Sequence, residues 1–151
     1  QSTMNEEAKS VSKNDLKLDG KTTLFQGEPF SGVCIDYYPN KKKEAETHYK
    51  DGKLDGLRTF WYEKGQKNFE GLYKGGKLDG LRTDWYANGQ KEYEGHYKDG
   101  MPDGLWSYWH RNGQKELEGY CKDGKKEGLV TEWSRKGEKI YEGHYKDGIE
   151  Q

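Results

Sequence analysis

The feature of this sequence that most constrains its fold is a repeat with a period of 24 residues. Glycine recurs at that spacing in three separate series, and tryptophan recurs in a fourth. The tryptophans are Trp61, Trp85, Trp109 and Trp133, and Tyr37 stands one period before them. Such self-similarity indicates a stack of equivalent units, because a unit of this size buries its apolar side chains only against its neighbours.

Each unit has the pattern of a β-hairpin. Two short runs rich in aromatic residues and threonine alternate with turns that contain glycine, and the runs lack proline. The sequence therefore predicts an all-β fold, an elongated single-sheet antiparallel β-meander of about eleven strands with one hairpin per repeat. The predicted strands cover residues 21–26, 33–38, 44–49, 57–62, 67–73, 81–86, 91–97, 105–110, 115–121, 129–134 and 139–145.

The period also divides the chain into two regions. Residues 1–19 are polar and are predicted to form an N-terminal tail or linker, and residues 20–151 form the repeat domain. The domain divides into a half-repeat over 20–31 and repeats over 32–55, 56–79, 80–103, 104–127 and 128–151.

The composition restricts the kind of interior that the repeats can form. Only 30% of the residues are hydrophobic and 35% are charged, but the net charge is −1 and the apolar content includes 5 Trp and 12 Tyr. Each such ring can bury roughly 150–250 Å². The composition is therefore typical of a thin ordered structure with little interior. The balanced charge argues against a nucleic-acid partner, which normally requires a basic surface.

Alternation along the strands predicts which side chains share a face. With a three-residue loop at Glu63–Gly65 that ends in a left-handed glycine, both strands of the hairpin keep one parity. This places Trp61, Gly71 and Tyr73 on one face, Arg58 opposite Glu70, and Arg82 opposite Glu94. Rings of the Trp and Tyr columns are expected to cover the glycines within the strands, which are Gly71, Gly95, Gly119 and Gly143.

Two aromatic surfaces are candidates for binding a partner. The first consists of the repeated aromatic residues Trp61, Tyr73, Trp85, Tyr97 and Trp109. The second is on the other face and consists of aromatic residues that the repeat does not require: Phe60, Tyr62, Tyr86, Trp106 and Tyr108. The first is preferred because its area is continuous. Trp85→Ala is expected to lower stability and abolish partner binding together, whereas Tyr86→Ala is expected to leave stability nearly unchanged.

The sequence predicts no catalytic, metal or cofactor site. It has no nucleophile or phosphate-binding motif, and His48, His96 and His144 stand in alternate repeats, too far apart to share a metal. The glutamate column at Glu46, Glu70, Glu94, Glu118 and Glu142 is interpreted as a solvated ladder partly neutralised by arginines. Cys34 and Cys121 are expected to be free, about seven strands apart and on opposite faces.

The residues of the unit resemble a known repeat family. The segment Y-E-G-x-Y-K-x-G-x-x-x-G, from Tyr93 to Gly104, resembles the membrane occupation and recognition nexus (MORN) repeat. The segment D-G-L-x-x-x-W-Y-x-N-G-Q, over residues 79–90, is similar to the variant found in bacteria. The resemblance departs from the family pattern at Cys121, where tyrosine is expected, and at Asn40, where the turn glycine is missing.

The resemblance implies a rod-like scaffold without catalytic activity that binds a protein partner through an aromatic-lined face. Many bacterial members are exported, so a periplasmic or cell-surface location is favoured over the cytoplasm. Two alternatives are a cytoplasmic antitoxin or immunity protein and a scaffold that binds membrane lipid. Lipid is disfavoured because aspartates flank the lysines of the turns. The charged last strand indicates a monomer or a weak homodimer.

Overall fold

The computed structural model describes residues 10–151, which form sixteen β-strands and one short 3-10 helix at Lys13–Asp15. The described part contains no helix long and apolar enough to cross a membrane. The strands are β1 (Ser10–Val11), β2 (Leu16–Asp19), β3 (Thr22–Phe25), β4 (Glu28–Pro29), β5 (Gly32–Tyr37), β6 (Lys43–Lys50), β7 (Lys53–Trp61), β8 (Lys67–Lys74), β9 (Lys77–Trp85), β10 (Lys91–Lys98), β11 (Met101–Trp109), β12 (Lys115–Lys122), β13 (Lys125–Lys126), β14 (Gly128–Trp133), β15 (Lys139–Lys146) and β16 (Ile149–Glu150).

Thirteen of these strands form one large sheet whose order follows the chain. The order is β1-β5-β6-β7-β8-β9-β10-β11-β12-β14-β15-β16, and β13 pairs with β12. All neighbours are antiparallel except β1 and β5, which are parallel. The all-β repeat meander is therefore confirmed. The number of strands exceeds eleven because the short strands β1, β2, β4, β13 and β16 have no predicted counterpart, and β2, β3 and β4 form a second, three-stranded sheet.

Residues 10–30 form an N-terminal cap on the first repeat. Val11 and Phe30 from the cap and Cys34 from β5 make a buried cluster, which Leu16 and Tyr49 flank. Residues 10–19 of the predicted tail contain β1, the 3-10 helix and β2, and Val11 contributes to this cluster. Residues 1–9 of the predicted tail lie outside the described residues.

Two kinds of turn alternate along the sheet. At one edge, two-residue turns such as Asp51-Gly52 have φ values of 51° and 81°, typical of the type I′ hairpin turn. At the other edge, Tyr62 and Gln66 close the predicted three-residue loop, in which Gly65 has φ 103°. This loop geometry is confirmed. In the first hairpin Lys41, with φ 69°, occupies the position of the loop glycine, so the missing glycine belongs at 41 and not at Asn40.

A β-bulge beside each three-residue loop determines the faces of the sheet. Trp61 pairs with Lys67, but the next residue, Phe60, pairs with Phe69, which leaves Asn68 as an extra residue. The same shift occurs in all five hairpins of the large sheet. One extra residue reverses the parity of the second strand. The prediction that Gly71 and Tyr73 share a face with Trp61 is therefore wrong.

The cross-strand partners change with the bulge. Arg58 lies opposite Gly71 and not Glu70, and Arg82 lies opposite Gly95 and not Glu94. Glu70 and Glu94 instead pair with threonines at 59 and 83. The arginines and the glutamate column therefore project from opposite faces.

We name the two faces after their commonest aromatic residue. The tryptophan face carries Tyr37, Trp61, Trp85, Trp109 and Trp133, the glutamate column and the leucines Leu57, Leu81, Leu105 and Leu129. The tyrosine face carries Tyr49, Tyr73, Tyr97 and Tyr145, with Arg58, Phe60, Phe69, Arg82, Tyr93, Trp106, Tyr108 and Cys121.

Candidate functional site

The structure separates the residues of the first candidate surface. Trp61, Trp85 and Trp109 lie in the tryptophan face, whereas Tyr73 and Tyr97 lie in the tyrosine face. The expectation of one continuous groove through all five is wrong, because the bulge places the two columns back to back. Whether any of these residues binds a partner stays a prediction.

The structure also divides the second candidate surface, because three of its residues lie on one face of the sheet and two lie at an edge. Phe60, Trp106 and Tyr108 share the tyrosine face with Tyr73 and Tyr97. Trp106 is buried, whereas Tyr108 is 41% exposed. The other two members, Tyr62 and Tyr86, follow β7 and β9 at the loop edge of the sheet.

The loop edge carries a ladder of hydrogen bonds between successive repeats. The hydroxyl of Tyr62 donates to the backbone carbonyl of Trp85 at 2.6 Å, and that of Tyr86 donates to the carbonyl of Trp109 at 2.6 Å. Tyr38 makes the same contact one repeat earlier. Tyr62 and Tyr86 therefore join neighbouring hairpins. The sequence contained the signal for this role, because Tyr38, Tyr62 and Tyr86 recur with the period of 24.

Lysines lie against the rings of the tryptophan face. The bulge pairs each tryptophan with a lysine, and the Nζ of Lys43 lies 5.8 Å from the centre of the Trp61 ring. Lys67 lies 5.7 Å from the ring of Trp85. Contacts of this kind contribute about 0.5–1 kcal/mol at exposed sites. The tryptophan rings are thus packed between lysine stems and are only half-exposed.

The glutamate column forms a second row on this face. Glu70 accepts a hydrogen bond from the buried Thr59 at 2.9 Å and an ion pair from Lys67 at 2.9 Å. The same lysine–glutamate pair recurs in each hairpin of the large sheet. At the last pair, the hydrogen bond from Lys139 lowers the pKa of Glu142. The column is thus neutralised by lysines and not by arginines.

A third row on the tryptophan face is apolar and exposed. Leu57 is 46% exposed, Leu81 42%, Leu105 60% and Leu129 44%. Leu72 and Tyr120, which pair with members of this row, are also exposed. Seven of the twelve exposed large apolar side chains in residues 10–151 lie in this face, counting Tyr37. Such an accumulation is typical of an interaction surface.

The tyrosine face contains most of the buried apolar side chains. Tyr93, Trp106, Cys121 and Val130 form a buried cluster in the third to fifth repeats. A shallow cavity of about 460 Å³ lies above this cluster, and Tyr97 and Tyr108 help to line it. Burial raises the pKa of the Tyr93 hydroxyl, which is hydrogen-bonded to that of Tyr97 at 2.8 Å.

Rings cover the glycines within the strands, as predicted. Tyr73 of the predicted Tyr column lies beside Gly71, whereas rings outside the two columns cover the other glycines. A methyl group at Gly95 would touch the Tyr93 hydroxyl, and one at Gly119 would lie 2.5 Å from the ring of Trp106. Tyr141 covers Gly143 in the same way. The tryptophan column lies on the other face and covers none of these glycines.

Both cysteines are free and buried, and they lie seven strands apart on β5 and β12. The expectation that they face opposite sides is wrong, because the bulges place both in the tyrosine face. Burial raises the pKa of Cys34 to about 11, with a further contribution from Asp36. Burial also raises the pKa of Cys121.

The structure offers no arrangement suited to metal chemistry in residues 10–151. In that part of the chain, no three His, Cys, Asp or Glu side chains come together as a metal ion requires. Acidic side chains near the turns accept hydrogen bonds from backbone amides, as Glu127 does from Asp147 at 2.9 Å.

These features define a class of protein, a single-layer antiparallel repeat sheet in which side chains on two faces recur with every hairpin. The family model described as the MORN repeat variant matches residues 31–51, 54–74, 78–99, 102–123 and 126–147. The chain therefore belongs to the MORN repeat variant family, a repeat scaffold type, and each matched segment spans one hairpin. No curated protein matches the chain.

Proposed function

We propose that this chain is a non-enzymatic scaffold that binds a protein partner through the tryptophan face. The observation that carries the proposal is the row of exposed apolar side chains, which includes Leu57, Leu81, Leu105 and Leu129. A single sheet has two faces, and the tyrosine face uses its aromatic residues for burial. The tryptophan face therefore carries most of the exposed large apolar side chains of residues 10–151.

The charges beside the leucine row favour a protein over an anionic polymer or a lipid surface. Lysines and glutamates alternate in ion pairs on this face, so their charges largely cancel. An amphipathic protein segment matches an apolar row flanked by both signs of charge. Neighbouring repeats are separated by two strands, about 10 Å, so the partner would meet similar contacts at regular intervals.

Photo-cross-linking in cells tests this proposal. A photoreactive residue at Leu81 or Leu105 should yield one discrete cross-linked species, because both side chains project into the proposed contact. Leu57→Asp with Leu129→Asp, introduced beside the photoreactive residue, should remove the product without loss of folding, since both positions are exposed. The matched control is a photoreactive residue at Ile149, which is 68% exposed at the end of the sheet and should not react.

A second candidate surface is the 460 Å³ cavity of the tyrosine face, where Tyr108 is accessible. Cross-linking from Tyr108 alone would reject the tryptophan face and assign binding to this cavity. The identity of the cross-linked species also separates the functional alternatives. A toxin would support the antitoxin or immunity role, and a lipid adduct in place of a protein would reject the proposal.

A further inference from the structure

A separate cavity lies between the cap and the tyrosine face, beside the two-residue turns. Its volume is about 420 Å³, within the range of roughly 300–1,000 Å³ that is usual for small-molecule sites. Leu18 and Lys21 come from the cap, Arg58 from β7 and Lys77 from β9. The cavity lies at the first two repeats, where the cap faces the sheet.

The charges of this cavity differ from those of the rest of the molecule. The chain as a whole carries 26 lysines and arginines against 27 aspartates and glutamates. Lys21, Lys53, Arg58 and Lys77 line the cavity, and no acidic residue does. None of the four forms an ion pair within residues 10–151. Four like charges around one cavity favour an anion as occupant.

Arg58 lines this cavity without a carboxylate partner, whereas its counterpart one repeat later has one. Arg82 donates to the carboxylate of Asp84 at 3.0 Å. The residue that corresponds to Asp84 is Phe60, and the guanidinium of Arg58 lies 4.8 Å from the centre of the Phe60 ring. The Nε of Arg58 is buried and has no acceptor in the described part of the chain. Arg58 therefore has no carboxylate partner, and its guanidinium can engage an oxyanion in the cavity that it lines.

Gly75 stands where the other turns of the repeat have aspartate, so the lining of the cavity lacks one carboxylate. The corresponding turn residue is aspartate in the other turns, at Asp51, Asp99, Asp123 and Asp147. Gly75 has φ 57°, close to the 51° of Asp51, and a Cβ atom there would meet nothing within 4 Å. Aspartate would therefore fit at position 75. Glycine differs from it mainly by leaving the lining of the cavity without a negative charge.

We infer that this cavity binds the phosphate group of a phosphorylated molecule. A phosphate carries a charge of about −1.5 to −2 at pH 7 and has three acceptor oxygens, so it can engage several cations at once. The planar guanidinium of Arg58 suits such a group. Leu18, Tyr49 and Leu54 offer apolar contacts for the remainder of the molecule. The inference is independent of the tryptophan face.

Calorimetric titration of the intact chain with inorganic pyrophosphate at low ionic strength tests the site. Arg58→Gln and Lys77→Gln should each weaken binding at least tenfold. Gly75→Asp should do the same while the protein keeps its fold, because this substitution restores the usual residue of the turn. The matched control is Lys125→Gln, which removes an equal charge at the corresponding position two repeats later and should leave the affinity within twofold.

Two further measurements distinguish the source of the phosphate from a failure of the inference. Flotation with phosphatidate vesicles, compared with phosphatidylcholine vesicles, detects a lipid headgroup. Binding to these vesicles alone, with the same losses in Arg58→Gln and Gly75→Asp, would support the site and assign it to a lipid. Absence of binding to both probes overturns the inference. Equal losses in Lys77→Gln and Lys125→Gln also overturn it, because they would indicate diffuse charge attraction.

Discussion

Single residues in this sheet act through contacts with the next ring or the next repeat. Gly95 provides the space into which the Tyr93 ring folds, and Gly119 does so for Trp106. At the loop edge, the Tyr86 hydroxyl satisfies a backbone carbonyl of the following hairpin. In a structure with so few fully buried residues, each such contact contributes a large share of the packing between repeats.

Gly95→Ala should lower the free energy of unfolding by about 1–3 kcal/mol, the usual cost of overpacking. The added methyl group would collide with the Tyr93 hydroxyl, which is held by Tyr97. Urea denaturation measures the change. Gly71→Ala is the control and should cost less, because its closest contact is the flexible end of Leu78 at 2.8 Å. Equal costs would show that the Tyr93 ring moves freely.

Tyr86→Phe should lower the free energy of unfolding by about 0.5–1.5 kcal/mol, the net value of a typical hydrogen bond. The hydroxyl is lost while the ring remains, so the carbonyl of Trp109 loses its 2.6 Å partner. This revises the expectation that truncation of Tyr86 leaves stability nearly unchanged. Tyr37→Phe is the control, because Tyr37 is 57% exposed and should show no change.

At the scale of the hairpin, the bulge and the two turn types act together. The three-residue loop fixes the pairing of Trp61 with Lys67, and the bulge at Asn68 then reverses the parity of the second strand. Because of that reversal, the glutamate at 70 shares a face with the lysine at 67, although they are three residues apart. The bulge thus produces the lysine, glutamate and tryptophan rows as well as the aromatic packing behind them.

Insertion of one alanine between Glu70 and Gly71 should destabilise the protein by more than about 3 kcal/mol or prevent folding. Gly71 and Tyr73 would then project from the tryptophan face, because a slip of one residue exchanges every following side chain between faces. Circular dichroism and urea denaturation report the effect. Asn68→Ala keeps the residue count and should change stability by less than about 1 kcal/mol. A stable insertion variant would contradict the assigned register.

At the scale of the whole molecule, two buried clusters on the tyrosine face organise the sheet. One joins the cap to the first hairpin through Phe30 and Cys34, and the other joins the third to fifth repeats through Trp106 and Cys121. The repeats in between are held mainly by strand pairing and by contacts between neighbours. Each cluster contains a cysteine. The rate at which each thiol reacts with a reagent therefore reports whether its own region stays folded.

The thiols of Cys34 and Cys121 should react at least about a hundredfold more slowly with a disulfide reagent in the native protein than in urea at pH 8. Burial hides both thiols and raises their pKa values, and the thiolate is the reactive form. Mass spectrometry of partly labelled protein identifies which thiol reacts first. Fast labelling of Cys34 alone would indicate that the cap detaches from the sheet.

Stability should decrease in alkaline solution. The pKa of Cys34 rises from 9.0 to about 11 on folding, so the folded state favours the neutral thiol. The contribution is fully present below pH 9 and is lost as the pH rises towards 11. Urea midpoints at pH 7 and pH 10.5 measure the loss. Cys34→Ala should show a smaller decrease between the two, and an equal decrease would assign the effect to the buried tyrosines.

Periodicity along the chain was sufficient to predict the hairpins, the loop with its left-handed glycine at Gly65, and a sheet with little interior. These properties depend on local backbone preferences, which neighbouring residues determine. The distribution of aromatic residues between the faces depended instead on whether an extra residue, such as Asn68, bulges out of the strand. That choice is made by cross-strand packing, in which rings such as Tyr93 and Trp106 cover glycines. The tertiary structure also determined that residues 10–19 form strands. A short polar segment forms strands only where its few apolar side chains can be buried, as Val11 is beside Phe30.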